Sequence, residues 1–277
     1  MASTRELVAT AATRLEHSGV EMPRLDAELL LATALGVSRP RMIVGGIEPS
    51  AAQLAVFASW IERRAAREPV AYITGSKGFR RIELAVDRRV LIPRPETELL
   101  VSVVKAGRPC AILDVATGSG AVALALADEL PGAAITASDI SAGALEVAAA
   151  NAARLGLAAR VRFTGSDLLD DVDGVFDAIA ANLPYVSAGA FDALQPEITR
   201  YEPRAALDGG RDGLDLVRRL VAAAPTRLKP GGLLALEIGD AQATATAGLF
   251  AAAGLTEIET HADLAGRDRV VSGWTVR

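Results

Sequence analysis

The chain has 277 residues, enough for one large domain or two smaller ones, each with a core of its own. Hydrophobic residues make up 51% and the formal net charge is −5, which counts against a generic nucleic-acid coat. A single cysteine (Cys110) excludes an intramolecular disulfide and a cysteine-rich zinc site; two histidines (His17 and His261) argue against a histidine metal cluster or a Ser-His-Asp hydrolase.

In chain order, Ser3 followed by Glu6 has capping-box spacing, and Leu7, Val8, Ala11, Ala12 and Leu15 recur on one helical face before Gly19. Pro23 opens a second predicted helix through Leu29, Leu30 and Leu35, with Gly36 as its stop. A third starts at Ser50, with Gln53 in the box position, and runs to about Arg67. Nothing here carries chemistry, so residues 1–72 are expected to form a small helical bundle, with docking of a macromolecular substrate as its task. Residues 73–98 read as a β-hairpin linker: Gly75 and Gly78 punctuate them, IELAV alternates as a strand does, and the prolines of LIPRPETE forbid a regular helix. From 99 to 277 strand and helix alternate. AILDV, AITAS, RVRFT, VFDAIAAN and LLALEI are short apolar runs, and SAGALEVAAANAARLG between two of them is a helix capped by Ser141 and stopped by Gly156. The alternation predicts an α/β fold with an open, mostly parallel sheet, and RVVSGWTVR is its final strand. No apolar run approaches the ~20 residues of a membrane helix, and no secretory signal opens the chain. A cytoplasmic protein without a membrane partner is expected.

The chemistry sits at strand ends. The first strand of the sheet ends at Asp114 and runs into DVATGSGAVA, a glycine-rich turn opening a helix, where the backbone can approach a ligand closely. Asp139 follows Gly120 by nineteen residues, at the end of the next strand, where a carboxylate can accept both ribose hydroxyls of an adenosine-containing cofactor. Gly118, Gly120 and Ala123 also satisfy the dinucleotide fingerprint, so a dehydrogenase shares this part of the pattern. Asp114 directly before the loop and a second motif tip the balance. That motif, Asn182-Leu183-Pro184-Tyr185, ends the fourth strand, where open α/β sheets hold their ligands. An amide or aminopurine nitrogen is a poor nucleophile, but it can attack a methyl sulfonium if acceptors relieve its developing charge. The Asn182 side-chain carbonyl and the Leu183 main-chain carbonyl can be those acceptors; Pro184 stiffens the turn and Tyr185 offers a flat face.

DVATGSG, ASDIS and NLPY together resemble a class I S-adenosylmethionine methyltransferase acting on an amide or exocyclic amine. REPVAYITGSKGF, VLIPRPETELLV, YEPRAALDGGRDGLD and DLAGRDRVV look like the HemK/PrmC group of release factor glutamine methyltransferases, so the resemblance spans nearly the whole chain. It implies a Rossmann-like seven-stranded methyltransferase sheet behind the helical bundle. It implies S-adenosyl-L-methionine as cofactor, peptide chain release factors as partners, and no stable binding of nucleic acid. Carried across, Ala116, Thr117, Gly118, Ser119 and Gly120 would wrap the methionine part of the cofactor, with Asp139 on its ribose and Leu168 against its adenine, and Asp114 and Asn182 would belong to the same cofactor site. Asn182, Leu183, Pro184 and Tyr185 would grip the glutamine, and Arg94 and Glu96 would shape the substrate entrance with Pro95 and Thr97. Two positions depart from the family pattern, which usually has glycine at Ala116 and proline at Leu183. Ala116 matters if its φ is positive. Proline in place of Leu183 is expected to preorganise the turn and raise turnover modestly. Asn-Leu-Pro-Tyr is also the form typical of ribosomal RNA adenine dimethyltransferases, the alternative substrate class. A non-catalytic homologue that binds cofactor or release factor is a further alternative.

Overall fold

The computed structural model describes residues 3–277, so the first two residues of the expected 1–72 bundle lie outside it. The chain divides into two compact units: one runs to Ser76 and takes in Gln195–Tyr201, and the other holds Lys77–Leu194 and Glu202–Arg277.

The first unit is helical. α1 (Thr4–Glu16) begins with a full capping box, the Ser3 hydroxyl accepting from the Glu6 amide while the Glu6 carboxylate accepts from the Ser3 amide. α2 (Pro23–Leu35) has proline in its first turn and ends at Gly36 with φ +69°, the left-handed stop that glycine adopts without strain. α3 (Arg39–Val44) and α5 (Val70–Thr74) are short helices that the apolar period does not announce; between them α4 (Ala51–Ala65) carries the Ser50–Gln53 box. Leu15, Leu30, Leu31, Met42, Phe57 and Ile61 meet in its core. The Gln195–Tyr201 segment is tied in by charge. Arg64, buried, donates to Asp26 and to Glu197, each at 2.8 Å, and Arg67 forks onto the same Glu197 carboxylate at 2.6 and 2.7 Å.

The second unit opens in a hairpin of β1 (Ser76–Phe79), whose first residue counts with the helical unit, and β2 (Ile82–Ala85), followed by irregular backbone up to α6 (Thr97–Ala106). Then come β3 (Ala111–Val115), α7 (Ala121–Glu129), β4 (Ala134–Asp139), α8 (Ala142–Arg154), β5 (Val161–Gly165) and β6 (Phe176–Ala181). After α9 (Pro196–Tyr201), which counts with the first unit, follow α10 (Asp215–Ala223), β7 (Leu228–Glu237), α11 (Ala243–Ala252), β8 (Thr256–Ala262) and β9 (Asp268–Trp274). The seven-stranded sheet has the order β5-β4-β3-β6-β7-β9-β8, parallel except where β9 runs against β7 and β8. β3 and β6 are side by side, so the carboxyl ends that carry Asp114 and Asn182 are neighbours. β8 was not among the expected strands: in its TEIETHA only Ile258 and His261 are partly buried and the rest is exposed, so no apolar alternation marks it.

The hairpin is fastened to the sheet domain by buried Asn151 on α8. Its amide accepts from the Ala85 N–H at 2.7 Å and donates to the carbonyls of Ala85 and Ser119, both at 2.9 Å. A second fastening joins Arg80 and Lys105 to Glu129, whose carboxyl they hold down at about 2.

Candidate active site

The loops after β3, β4 and β6 wall a cavity of about 350 Å³ at the carboxyl ends of the strands. Its lining includes Asp114, Ala116–Ser119, Asp139, Leu168, Asn182–Pro184 and Arg94 from the expected set. Gly120, Tyr185 and Glu96 are outside that lining. A larger cavity of about 740 Å³ lies at the amino-terminal ends of β3 and β6, beside Cys110 and Asp177, and holds none of the motif residues. Open α/β sheets bind at the opposite edge, so the smaller cavity is the candidate.

Asp114 works inside the loop. It is buried, accepts from the Thr117 hydroxyl at 2.6 Å and the Ala123 amide at 3.1 Å, and so joins β3 to the first turn of α7. Burial pushes its carboxyl up to about 7, against those two hydrogen bonds. Asp139 accepts from the Gly118 amide through one oxygen and the Ser141 amide through the other, each at 2.9 Å. It therefore shapes the glycine turn as well as facing the cavity. Gly118 (φ +56°) and Gly120 (φ +84°) take left-handed conformations, and a Cβ on Gly120 would sit 2.9 Å from Leu124 and 3.3 Å from Ala148. Gly120 thus serves the packing of α7 rather than the cavity wall. Ala116 also has positive φ, +58°, as does Leu168, at +53°. Two non-glycine residues in that region, one after β3 and one after β5 and both lining the cavity, are strained backbone at the candidate site.

Asn182 is half-buried and its side-chain amide donates to the Thr97 hydroxyl at 3.1 Å. The Leu183 side chain turns away into the main core and is 2% exposed. Tyr185 lies near Glu237, Arg94, Arg269 and Glu96; burial, with the nearby Glu237 charge, pushes its phenol up to about 12. Arg94 is held by Glu202 at 2.6 Å, and the same carboxylate accepts from the Ile92 amide at 3.3 Å.

Three supports of the turn were not picked out from the sequence. Gly209 and Gly213 lie against its backbone: a Cβ on Gly209 would fall 2.7 Å from the Pro184 carbonyl oxygen, and one on Gly213 2.3 Å from that of Tyr185. Gln242 donates to the Tyr185 carbonyl at 3.1 Å and to that of Gly213 at 3.3 Å, while accepting from the Gly239 amide at 2.9 Å. The glycines of LDGGRDGLD are a visible signal of close backbone approach, but nothing in the sequence says what they approach.

With this geometry in hand, comparison with known proteins is specific. Residues 6–75 match the PrmC N-terminal domain model and residues 95–201 the Methyltransferase small domain model. The release factor glutamine methyltransferase of Caulobacter vibrioides is 44% identical over 95% of this chain and 93% of its own length. That of Moorella thermoacetica is 46% identical over 96% of each. Among solved structures, a methyltransferase from Pyrococcus furiosus superposes with a TM-score of 0.55 at 18% identity, over 70% of this chain and 89% of that one, a likeness of fold.

Proposed function

The chain belongs to the release factor glutamine methyltransferase family, and from that membership we propose that it transfers a methyl group from S-adenosylmethionine to the side-chain amide nitrogen of a glutamine in a peptide chain release factor. The observation that carries the reading is that the Asn182 amide and the Asp139 carboxylate face one cavity, across a turn in which Gly118 leaves open space where a Cβ would sit.

The cavity suits an adenosine-containing group. Each Asp139 oxygen accepts one backbone amide and keeps a further lone-pair site for a ribose hydroxyl. Ile140 and Leu168 give the apolar flank an adenine needs, and Ala116 to Ser119 would border the methionine part. When bound, S-adenosylmethionine supplies a methyl group already activated on a sulfonium, so the protein's part is alignment and relief of charge. Asn182 Oδ1 and the Leu183 carbonyl accept from the two N–H groups of the glutamine amide and favour the state in which that nitrogen becomes positive. Arg94 borders the entry of that amide, and Tyr185 and Glu96 stand beside the lining rather than in it, as supports of the substrate's approach. No strong base is required, because an N-methylated amide cation gives up its proton to water. We read the helical unit as the platform on which the release factor docks, and the cytoplasm as the place of action. Among the described residues, no helix is long and apolar enough to cross a membrane.

Mass spectrometry of release factors incubated with the protein and S-adenosylmethionine tests the reading. One added methyl on a glutamine is expected. Label in ribosomal RNA adenine, and none in the protein, would assign the chain to the RNA-modifying class.

A further inference from the structure

An asparagine can serve as an acceptor towards substrate only if its amide is held the right way round, since its two ends differ by one atom and carry opposite hydrogen-bonding roles. At Asn182 the outward end must be Oδ1, and the inner end, Nδ2, meets the Thr97 hydroxyl at 3.1 Å. A hydroxyl alone cannot enforce that choice, because it can donate as readily as accept. The residue behind it can. Glu237, at the last position of β7, is 2% exposed, and the Thr97 hydroxyl and the Asn182 amide are among the groups that lower its carboxyl against burial. An ionised carboxylate only accepts. Once the single Thr97 proton is committed to Glu237, the Thr97 oxygen has only lone pairs left, and the group facing it must be the NH₂ of Asn182.

We propose that Thr97 and Glu237 are positioning residues for Asn182: together they fix the polarity of a hydrogen-bond chain that leaves Asn182 Oδ1 as the end presented to the substrate amide. The inference rests on the proposed glutamine methylation, to which it adds a role for the threonine of the PETE segment. Several features agree with it. Thr97 is 4% exposed and borders the cavity at the start of α6, so its hydroxyl has little access to bulk water. The second Glu237 oxygen, Oε2, is buried with no hydrogen-bond partner among the described residues, an arrangement that costs free energy and that sheet packing alone does not call for. Of the charged and titratable groups around Glu237, Glu96 on the segment before α6 opposes its ionisation and Arg269 on β9 favours it, while the Tyr185 phenol stays neutral. Burial dominates and pushes the Glu237 carboxyl up to about 7, so the chain is set by a group that titrates near neutrality.

The test uses the full chain with Thr97→Val, Thr97→Ser and Glu237→Gln. For each, kcat and KM on a release factor, the affinity for S-adenosylhomocysteine and the exchange rate of the Asn182 side-chain amide protons are measured. Thr97→Val keeps the shape but removes the hydroxyl; kcat is expected to fall by about 10²-fold, the loss typical of a misplaced catalytic group, with KM and cofactor affinity within a few-fold. Thr97→Ser restores the hydroxyl and most of kcat. Glu237→Gln can accept or donate and does not titrate, so it lowers kcat and flattens its rise with pH around neutrality. Wild-type kcat in Thr97→Val, or a serine variant as poor as the valine one, overturns the proposal. If the unaltered protein leaves the release factor unmethylated, the functional reading fails by itself. Amide exchange still decides the hydrogen-bond chain: protection at Asn182 must fall in the valine variant and return in the serine one.

Discussion

At the scale of single residues, the site combines ligand-facing groups with groups that hold the backbone, and one residue can do both. Asp139 accepts from Gly118 and Ser141, so Asp139→Ala should weaken S-adenosylhomocysteine binding by about 1.5–3 kcal/mol, through the lost ribose acceptor and a looser turn. Calorimetry showing unchanged affinity would remove Asp139 from the ribose. Ala116 has φ +58°, a conformation that costs a residue with a Cβ roughly 1–2 kcal/mol, whereas glycine adopts it freely but loses more entropy on folding. Ala116→Gly should therefore leave stability unchanged or raise it by up to ~1 kcal/mol; a clear fall in Tm would mean the strain is absent. Leu183 reverses an expectation drawn from its neighbours. Proline there would stiffen the turn, but the leucine side chain is 2% exposed in the main core. Leu183→Pro deletes much of that packing and should destabilise the protein by about 2–4 kcal/mol with no gain in turnover. Thermal unfolding and kcat on the same preparations would show it, and a more active, equally stable variant would contradict it.

At the scale of elements, legibility followed exposure and periodicity. The capping boxes of α1 and α4, the glycine stop of α2 and the parallel strands β3 to β6 were readable, because each rests on local chemistry or on a continuous apolar run. β8 was not, since most of its side chains face solvent and its place is set by pairing with β9. The site divides in the same way. Asp114, Asp139 and Asn182 stand at strand ends and announce themselves; Gln242, Gly213 and Glu237 act through contacts 29 to 57 residues away or from behind the turn, and no spacing rule reaches them. One element-scale contact has a measurable pH signature. Glu129 on α7 takes Arg80 from the turn of the hairpin and Lys105 from α6, and its carboxyl is lowered from 4.5 to about 2. A lowered acid stabilises the fold fully above its unfolded value and loses that contribution as pH falls through the folded one. Unfolding midpoints should drop between about pH 4.5 and pH 2, and Glu129→Gln should flatten that part of the profile. An unchanged slope in the variant would show the clamp to be energetically idle.

At the scale of the whole molecule, the two units are not two consecutive lengths of chain. A cut near residue 72 follows the change of pattern in the sequence, yet Gln195–Tyr201 counts with the helical unit although more than a hundred residues separate them. Composition could not reveal this, because the bond is between opposite charges distant in sequence: Arg64 and Arg67 on one side, Glu197 on the other. The Arg64 side chain is 8% exposed and Glu197 11%, so this is a buried network in which removing one partner leaves a charge without its counterion. Asp26 remains to Arg64 at 2.8 Å, but Arg67 loses both of its hydrogen bonds to the network. Glu197→Ala should accordingly cost about 3 kcal/mol, near the lower end for a broken buried pair. That loss is expected in the helical unit. Native-state hydrogen exchange on the full chain would locate it: amides of α1, α2 and α4 should lose protection, while those of β3, β4 and β6, which have their own core, keep theirs. Equal loss in both sets would mean that the chain unfolds as one cooperative body. No loss in either would mean that apolar packing holds the segment and the ion pairs merely decorate it.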